Sequence, residues 1–428
     1  MRLFSASLAG WVQPADIFVQ FYAGERNAFW LDGEFSPDER FSVLGSGLLT
    51  PGDRSVSEKL ANLRATNAVD LPFRWRPGLV GFLTYECEPK FLDVDRAIVF
   101  DHDHQGLYFT GVFSDRSAFE SWHHAALLRL GLSGGQLATY LHQLGEVPKP
   151  SQTRLVHDSE KYLGLIRKAQ QHIALGDVYQ ICLTNQIEIH TEADPLAVFL
   201  KLRLANPAPY SAFMQIDGRS VISSSPEQFI RVTNSGQVST KPIKGTRPRG
   251  LDEFEDESIA ASLRDDTKER AENLMIVDLM RNDLGKVSEI GSVAVDKLFA
   301  IETYATVHQL VSTVSGTLAS GQDAWSAALA AFPGGSMTGA PKIRAMQIIA
   351  ELEQTDRGVY SGCLGYFAAD GAAELAMVIR SIVFEGGVAR IGVGGGITID
   401  SEPRAELAET RLKAQALLTA LNAPDPWS

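Results

Sequence analysis

Two pairs of glutamates carry the first chemical signal in the chain. Glu269 and Glu272 stand three residues apart in Lys-Glu-Arg-Ala-Glu-Asn-Leu-Met, and Glu406 and Glu409 repeat that spacing in Arg-Ala-Glu-Leu-Ala-Glu-Thr-Arg. On a helix, residues three apart share a face. Two such faces opposed would form an oxygen-rich pocket suited to Mg²⁺, which prefers octahedral oxygen ligands and keeps several waters. For either pair alone, a solvated helix face is the commoner outcome. Leu274, Met275, Ile276, Val277 and Leu279 beside the first pair imply a largely buried helix, where carboxylates need partners. Asp278, Arg281 and Asp283 in the same stretch read as a structural ion-pair network.

Three further segments combine reactive or flexible residue types. Lys241 and Lys244 lie in Thr-Lys-Pro-Ile-Lys-Gly-Thr-Arg-Pro-Arg, an extended, punctuated run. Burial of Lys244 would lower its pKa and free its amine as a nucleophile or base; otherwise the run is a surface loop of cations. Pro333-Gly334-Gly335-Ser336-Met337-Thr338-Gly339-Ala340-Pro341-Lys342 reads as a glycine-rich turn entering a helix, where N–H groups and the helix start could hold an anion. It lacks the spacing of a nucleotide P-loop, so a carboxylate is the better guess. Gly392-Val393-Gly394-Gly395-Gly396-Ile397-Thr398 sits in a strand context, either admitting a ligand to bare backbone or making a tight bend.

The elements that must position these groups are legible in outline. Residues 1–147 carry strand-like runs at Ala28–Leu31, Leu79–Tyr85 and Ala97–Phe100 and no chemical constellation. Gly145–Ser151, with two prolines, has linker composition, and the second unit is expected over 152–420. There a helix should open at Asp158-Ser159 and stop at Gly176, followed by a strand over Val178–Ile189. Strands at Ser220–Ser224, Phe229–Thr233 and Ala389–Ile399 mix with helical stretches at about 255–285, 340–354 and 402–421. Mixed rather than alternating order predicts an α+β fold.

Composition bounds the class. The 428 residues, 45% hydrophobic and 21% charged, exclude disorder and coiled coil. A net charge of −13 disfavours nucleic acid and anionic membrane, and requires local cations or a divalent metal around any anionic substrate. Three scattered cysteines argue against disulfides and zinc and fit a reducing cytoplasm. The N-terminus bears only a weak likeness to a signal peptide, and no apolar run reaches the ~18 residues of a membrane span.

In order along the chain, several motifs carry a resemblance: Gln180-Ile181-Cys182-Leu183-Thr184, Ser225-Pro226-Glu227, Pro242-Ile243-Lys244-Gly245-Thr246-Arg247, Glu269–Met275, His308, Gly334–Lys342, Gly365-Tyr366-Phe367, Ile379-Arg380-Ser381 and Glu406–Lys413. Over about residues 157–415 they resemble the chorismate-utilising family that includes anthranilate, aminodeoxychorismate, isochorismate and salicylate synthases. The resemblance implies a two-layered core of large antiparallel sheets with helices outside, whose first part interleaves with the second. At Gln180 the water-adding members carry a lysine base, and at Lys244 anthranilate synthases carry alanine; the lysine here matches the aminodeoxychorismate branch. An anthranilate synthase is the nearest rival. A catalytically silent scaffold fits poorly, because the whole set of reactive residues is present.

The resemblance also implies roles. Glu272 and Glu409 would hold Mg²⁺, with Glu269 and Glu406 close by or acting through water. Glu227 would protonate the departing C4 hydroxyl of chorismate, and Lys244 would attack C2 before ammonia enters at C4. Arg380 and Tyr366 would bind the enolpyruvyl carboxylate, with Gly394, Gly396 and Lys413 as further anion contacts. Thr246, Gly335, Thr338 and His308 match positions near the substrate, with a structural role for His308 the alternative. Ammonia would come from a separate glutaminase subunit, since no glutaminase signature is present. Tryptophan control of the kind that uses N-terminal residues is not readable; Phe29–Gly33 is the nearest segment.

Overall fold

A computed structural model describes residues 1–36, 39–50, 56, 58–60, 69–304 and 306–427. Among them, strands assemble into a twelve-stranded and a ten-stranded sheet, with antiparallel pairing throughout. The fold is α+β, with helices covering the outer faces. No helix among the described residues is long and apolar enough to cross a membrane.

Three layers of apolar packing hold the elements. Between the sheets, Phe29, Val80, Ala212, Leu364 and Val383 interdigitate. On the outer face of the ten-stranded sheet, Ile276, Val277 and Met280 of helix Thr267–Gly285 pack against Phe229 and Phe367. Helices Pro195–Ala205 and Pro403–Ala420 cover the other sheet through Phe199, Leu417 and Leu418 against Trp30, Phe213 and Ile391. Strands covered on both faces read as continuous apolar runs, and Cys363–Ala368 is buried at every position.

Expected elements appear with small shifts. The helix predicted from Asp158 runs Ser159–Ala174, with the Asp158 carboxylate accepting from the Lys161 N–H at 2.9 Å. The following strand is Gln180–His190. The single helical stretch expected at 255–285 is two helices, Glu253–Asp265 and Thr267–Gly285. Asp266 divides them, its carboxylate accepting from the N–H groups of Lys268 and Glu269, which puts Glu269 in the first turn of the second helix. The helix expected to follow the glycine turn directly begins only at Lys342, after the short strand Gly339–Ala340 has paired with Gln180 and Ile181. Turn and helix start are therefore separate features.

The boundary near residue 150 is not a division in space. Strand Ala28–Asp32 pairs with Tyr210–Ile216, and Gly78–Leu83 pairs with Cys363–Ala368, so both sheets contain strands from both segments.

Candidate active site

Strand Gln180–His190 lies beside Val388–Ile397, with Cys182 opposite Gly396 and Thr184 opposite Gly394. Helices Thr267–Gly285 and Pro403–Ala420 bring the two glutamate pairs to this region. The Lys268 ammonium lies 3.9 Å from a Glu272 oxygen and 3.6 Å from a Glu406 oxygen, so one cation spans both helices. Glu272 and Glu406 are both buried, and Ser401 donates to Glu406 at 2.8 Å.

Lys244 enters from strand Ile243–Pro248, whose pairing shifts register between Lys244 and Thr246. At this bulge Gly245 takes φ +73°, and a Cβ there would stand 2.9 Å from the Glu269 carboxyl carbon. Glycine thus lets the strand bend against the carboxylates. The Lys244 ammonium donates to Glu272 at 3.2 Å. A Cβ on Gly396 would lie 2.4 Å from the Gln180 amide nitrogen and 3.0 Å from the Lys244 nitrogen, so both side chains approach bare backbone. The Gln180 amide oxygen is buried without a hydrogen-bond partner.

The electrostatics correct one expectation and sharpen another. Burial is the largest influence on Lys244 and acts to lower its pKa, as expected for a desolvated lysine, but Glu272, Cys182 and Glu227 together outweigh it and the net shift is upward. Burial pushes Glu227 up to about 7, against the lowering effects of a Ser336 hydrogen bond and Lys244. Burial and the neighbouring Glu272 raise Glu269. For Glu409 burial is the largest influence and raises it, yet Lys413 at 2.8 Å and other cations bring the net shift below the usual range.

On the substrate side, Lys413 also donates to the Gly394 carbonyl at 2.8 Å. Arg380, at φ +51°, carries a guanidinium whose pKa burial lowers, with Tyr360 and Glu409 as its opposing neighbours. Tyr366 does not join it. Along Cys363–Ala368 side chains alternate, Cys363 and Phe367 facing the helices while Leu364 and Tyr366 face the layer between the sheets. There Tyr366 lines a cavity with Glu39 and Glu374. The tyrosine beside Arg380 is Tyr360, packed so closely on strand Val388–Ile397 that a Cβ on Gly392 would meet its ring at 2.1 Å.

Three other expected residues are held by local contacts, and a fourth is exposed. Both ring nitrogens of His308 are engaged, Nδ1 with the Thr303 hydroxyl at 2.9 Å and Nε2 with Asp256 at 2.8 Å, an arrangement that ties helix Glu253–Asp265 to the sheet rather than leaving a nitrogen for a substrate. The Thr338 hydroxyl donates back to the Gly334 carbonyl, closing its own turn. Gly335 abuts Leu279, which a Cβ would approach to 2.9 Å, so its missing side chain serves helix packing. Thr246 is exposed on the bulged edge. The ion pairs Arg281–Asp278, Lys286–Asp283 and Lys342–Asp283 form the structural network expected of that helix.

The four glutamates supply hard oxygen donors from two helices, and the region already accommodates the Lys268 ammonium; this donor chemistry fits a divalent cation such as Mg²⁺. A second acidic group, Asp32, Glu34 and His102, is closed by Arg203, which pairs with both carboxylates. Sequence reasoning missed Lys268, Ser336 and Tyr360. Lys268 had a usable signal in its i,i+4 spacing to Glu272; Tyr360 had none, because strand parity turns Tyr366 away while the turn before the strand, not a motif position, brings Tyr360 to Arg380.

The architecture and site define a two-sheet α+β protein in which carboxylates, a largely buried lysine and further cations are gathered together. The family model described as chorismate binding enzyme matches residues 28–419, and the chain belongs to that family. It is 44% identical over 406 residues to an aminodeoxychorismate synthase of Streptomyces griseus, covering 91% of this chain and 55% of that protein. It is 38% identical to an anthranilate synthase component 1 of Streptomyces coelicolor, covering 96% of this chain and 86% of the relative. The chain thus spans about half the length of the aminodeoxychorismate synthases it matches. Among solved structures, anthranilate synthase component I of Streptococcus pneumoniae shares the fold at TM-score 0.76 and 27% identity, covering 97% of this chain and 92% of that one.

Proposed function

We propose that the chain aminates chorismate at C4 to give 4-amino-4-deoxychorismate, the precursor of 4-aminobenzoate, using ammonia from a glutaminase partner in the cytoplasm. The observation that carries this reading is Lys244, whose nitrogen lies against Glu272 and Gly396 beside Gln180, while Glu227 feels its charge.

Glu227, raised to about 7, keeps a substantial protonated fraction at neutral pH, and that form donates its proton to the departing C4 oxygen. Lys244 must lose its proton to solvent before attack, and its contact with Glu272 at 3.2 Å holds the nitrogen in place. The amine then bonds to C2, the ring double bonds shift, and the C4–O bond breaks with release of water. Ammonia bonds to C4, the double bonds shift back, and the C2–N bond breaks to return the lysine amine. Mg²⁺, bound by Glu272 and Glu409 with Glu269 and Glu406 nearby, would neutralise the ring carboxylate. Gln180 cannot act as a base toward water, which favours ammonia as nucleophile. Arg380, with Tyr360 beside it, is the cation for the enolpyruvyl carboxylate.

Incubation with chorismate, Mg²⁺ and ammonium salt tests the reading. A product that keeps the enolpyruvyl group, and yields 4-aminobenzoate with a lyase, is expected. Fluorescent anthranilate with free pyruvate would overturn it in favour of the activity named for the Streptomyces coelicolor relative. Lys244→Ala should reduce aminodeoxychorismate formation at least about 100-fold and remove any chorismate-derived mass adduct from the protein.

A further inference from the structure

The outer edge of strand Gln180–His190 is paired discontinuously. Gly339–Ala340 covers Gln180 and Ile181, and Gln152–Leu155 takes over from Ile187. Across the start of the gap, the Cys182 N–H donates to the Thr338 carbonyl at 2.7 Å, extending the ladder by one bond. The next two backbone groups on that edge are met by side chains. The Arg357 guanidinium donates to the Cys182 carbonyl at 2.8 Å, and Glu353 accepts from the Thr184 N–H at 2.7 Å and its hydroxyl at 2.9 Å.

Glu353 and Arg357 are themselves paired at 2.7 and 2.9 Å and almost wholly buried. The same guanidinium donates to the Met337 carbonyl at 2.7 Å, in the turn that carries Ser336 and Thr338. The Tyr85 ring packs on it, its centroid 4.5 Å from the guanidinium carbon, and the Glu86 carboxylate accepts from the Arg357 N–H at 2.9 Å. A strand in place of this pair would close the edge but would exclude the turn. A buried pair of opposite charges satisfies the ladder while leaving the turn free to bring Ser336 to Glu227.

We propose that Glu353 and Arg357 are positioning residues for the candidate site: together they fix the separation between the Gly334–Thr338 turn and the strand that carries Gln180 and sets the register of Gly394–Gly396. The inference rests on the proposed chorismate chemistry for its ligand and on the hydrogen-bond pattern for its geometry. Arg357 touches neither reacting atoms nor substrate. Its effect passes through the Met337 and Cys182 carbonyls to the turn and the strand of the site, where a displacement of about 1 Å is costly.

Arg357→Lys tests this on the full chain. Lysine keeps the charge beside Glu353, but a compact ammonium cannot span Glu353, Met337 and Cys182 as a planar fork does. Calorimetry with chorismate and Mg²⁺, without ammonium, should show affinity weakened at least about tenfold with Mg²⁺ affinity near that of the parent, while the melting temperature falls and the variant stays folded. Hydrogen exchange without substrate should quicken in peptides covering Cys182–Thr184 and Met337–Gly339. Unchanged exchange there, or parental chorismate affinity in the folded variant, would overturn the proposal. If Arg357→Lys does not fold, Glu353→Gln, which retains the acceptor for Thr184, is read by the same two measurements, and parental values again overturn it. A parental chain without affinity for chorismate refutes the proposed function instead, and the exchange measurement then decides the positioning role alone.

Discussion

Glu227 is buried and Lys244 largely so, yet their neighbours drive them in different ways. Around Glu227 burial wins, and the carboxyl rises to about 7. Native protein then holds a proton that the unfolded chain releases from about pH 4.5, so stability falls as pH rises through the window from 4.5 to 7. At pH 8 the full penalty is present, on the order of 3 kcal/mol. Glu227→Gln should therefore melt higher than the parent at pH 8, with the advantage gone below pH 4.5, while product formation falls at least about 100-fold. Scanning calorimetry across that range checks the first statement and steady-state turnover the second. For Lys244 the neighbouring groups Glu272, Cys182 and Glu227 together outweigh burial, so the resting lysine is charged and its neutral fraction grows only in the alkaline range.

At the scale of elements, two helices that are far apart in sequence meet through carboxylates and one lysine. Like charges brought together in a buried region repel, and Lys268, Lys244 and Lys413 offset them. Lys268 is the half-exposed member and can swing away, so it competes with any divalent cation for Glu272 and Glu406. Titration calorimetry should find Mg²⁺ bound a few-fold more tightly by Lys268→Gln and at least about tenfold more weakly by Glu272→Gln. Equal affinities across parent and variants would remove these helices from the metal site. The break at Asp266 matters here because it starts a new helix at the residue from which Glu269 and Glu272 are counted.

For the whole molecule, the interleaving of early and late strands makes the sheets a joint product of the chain. Residues 152–428 alone would leave Tyr210–Ile216 and Cys363–Ala368 without the partners Ala28–Asp32 and Gly78–Leu83. Exposed apolar edges of that kind aggregate. That fragment should be insoluble or lack dispersed amide resonances, and recovery of a folded, chorismate-binding fragment would contradict the joint architecture. The charge of −13 has a local counterpart, since the cations needed for an anionic ligand, Arg380, Lys413 and Lys244, are gathered around one strand pair.

Sequence alone determined what depends on neighbours along the chain. The Asp158 cap, the i,i+3 glutamates and the extended run around Lys244 follow from local propensity and periodicity, and ordered motifs carried the family resemblance. Tertiary structure decided what depends on parity, register and distant charge. One residue of strand alternation sends Tyr366 between the sheets, while Tyr360, outside the strand, stands beside Arg380. Glu272, 28 positions from Lys244, joins Cys182 and Glu227 in reversing the pKa shift that burial alone would give. Thr303 and Asp256 take both nitrogens of His308, and strand pairing across more than a hundred residues erases the linker as a spatial boundary. Periodicity reports which face of an element is apolar, but packing of remote segments determines what that face meets.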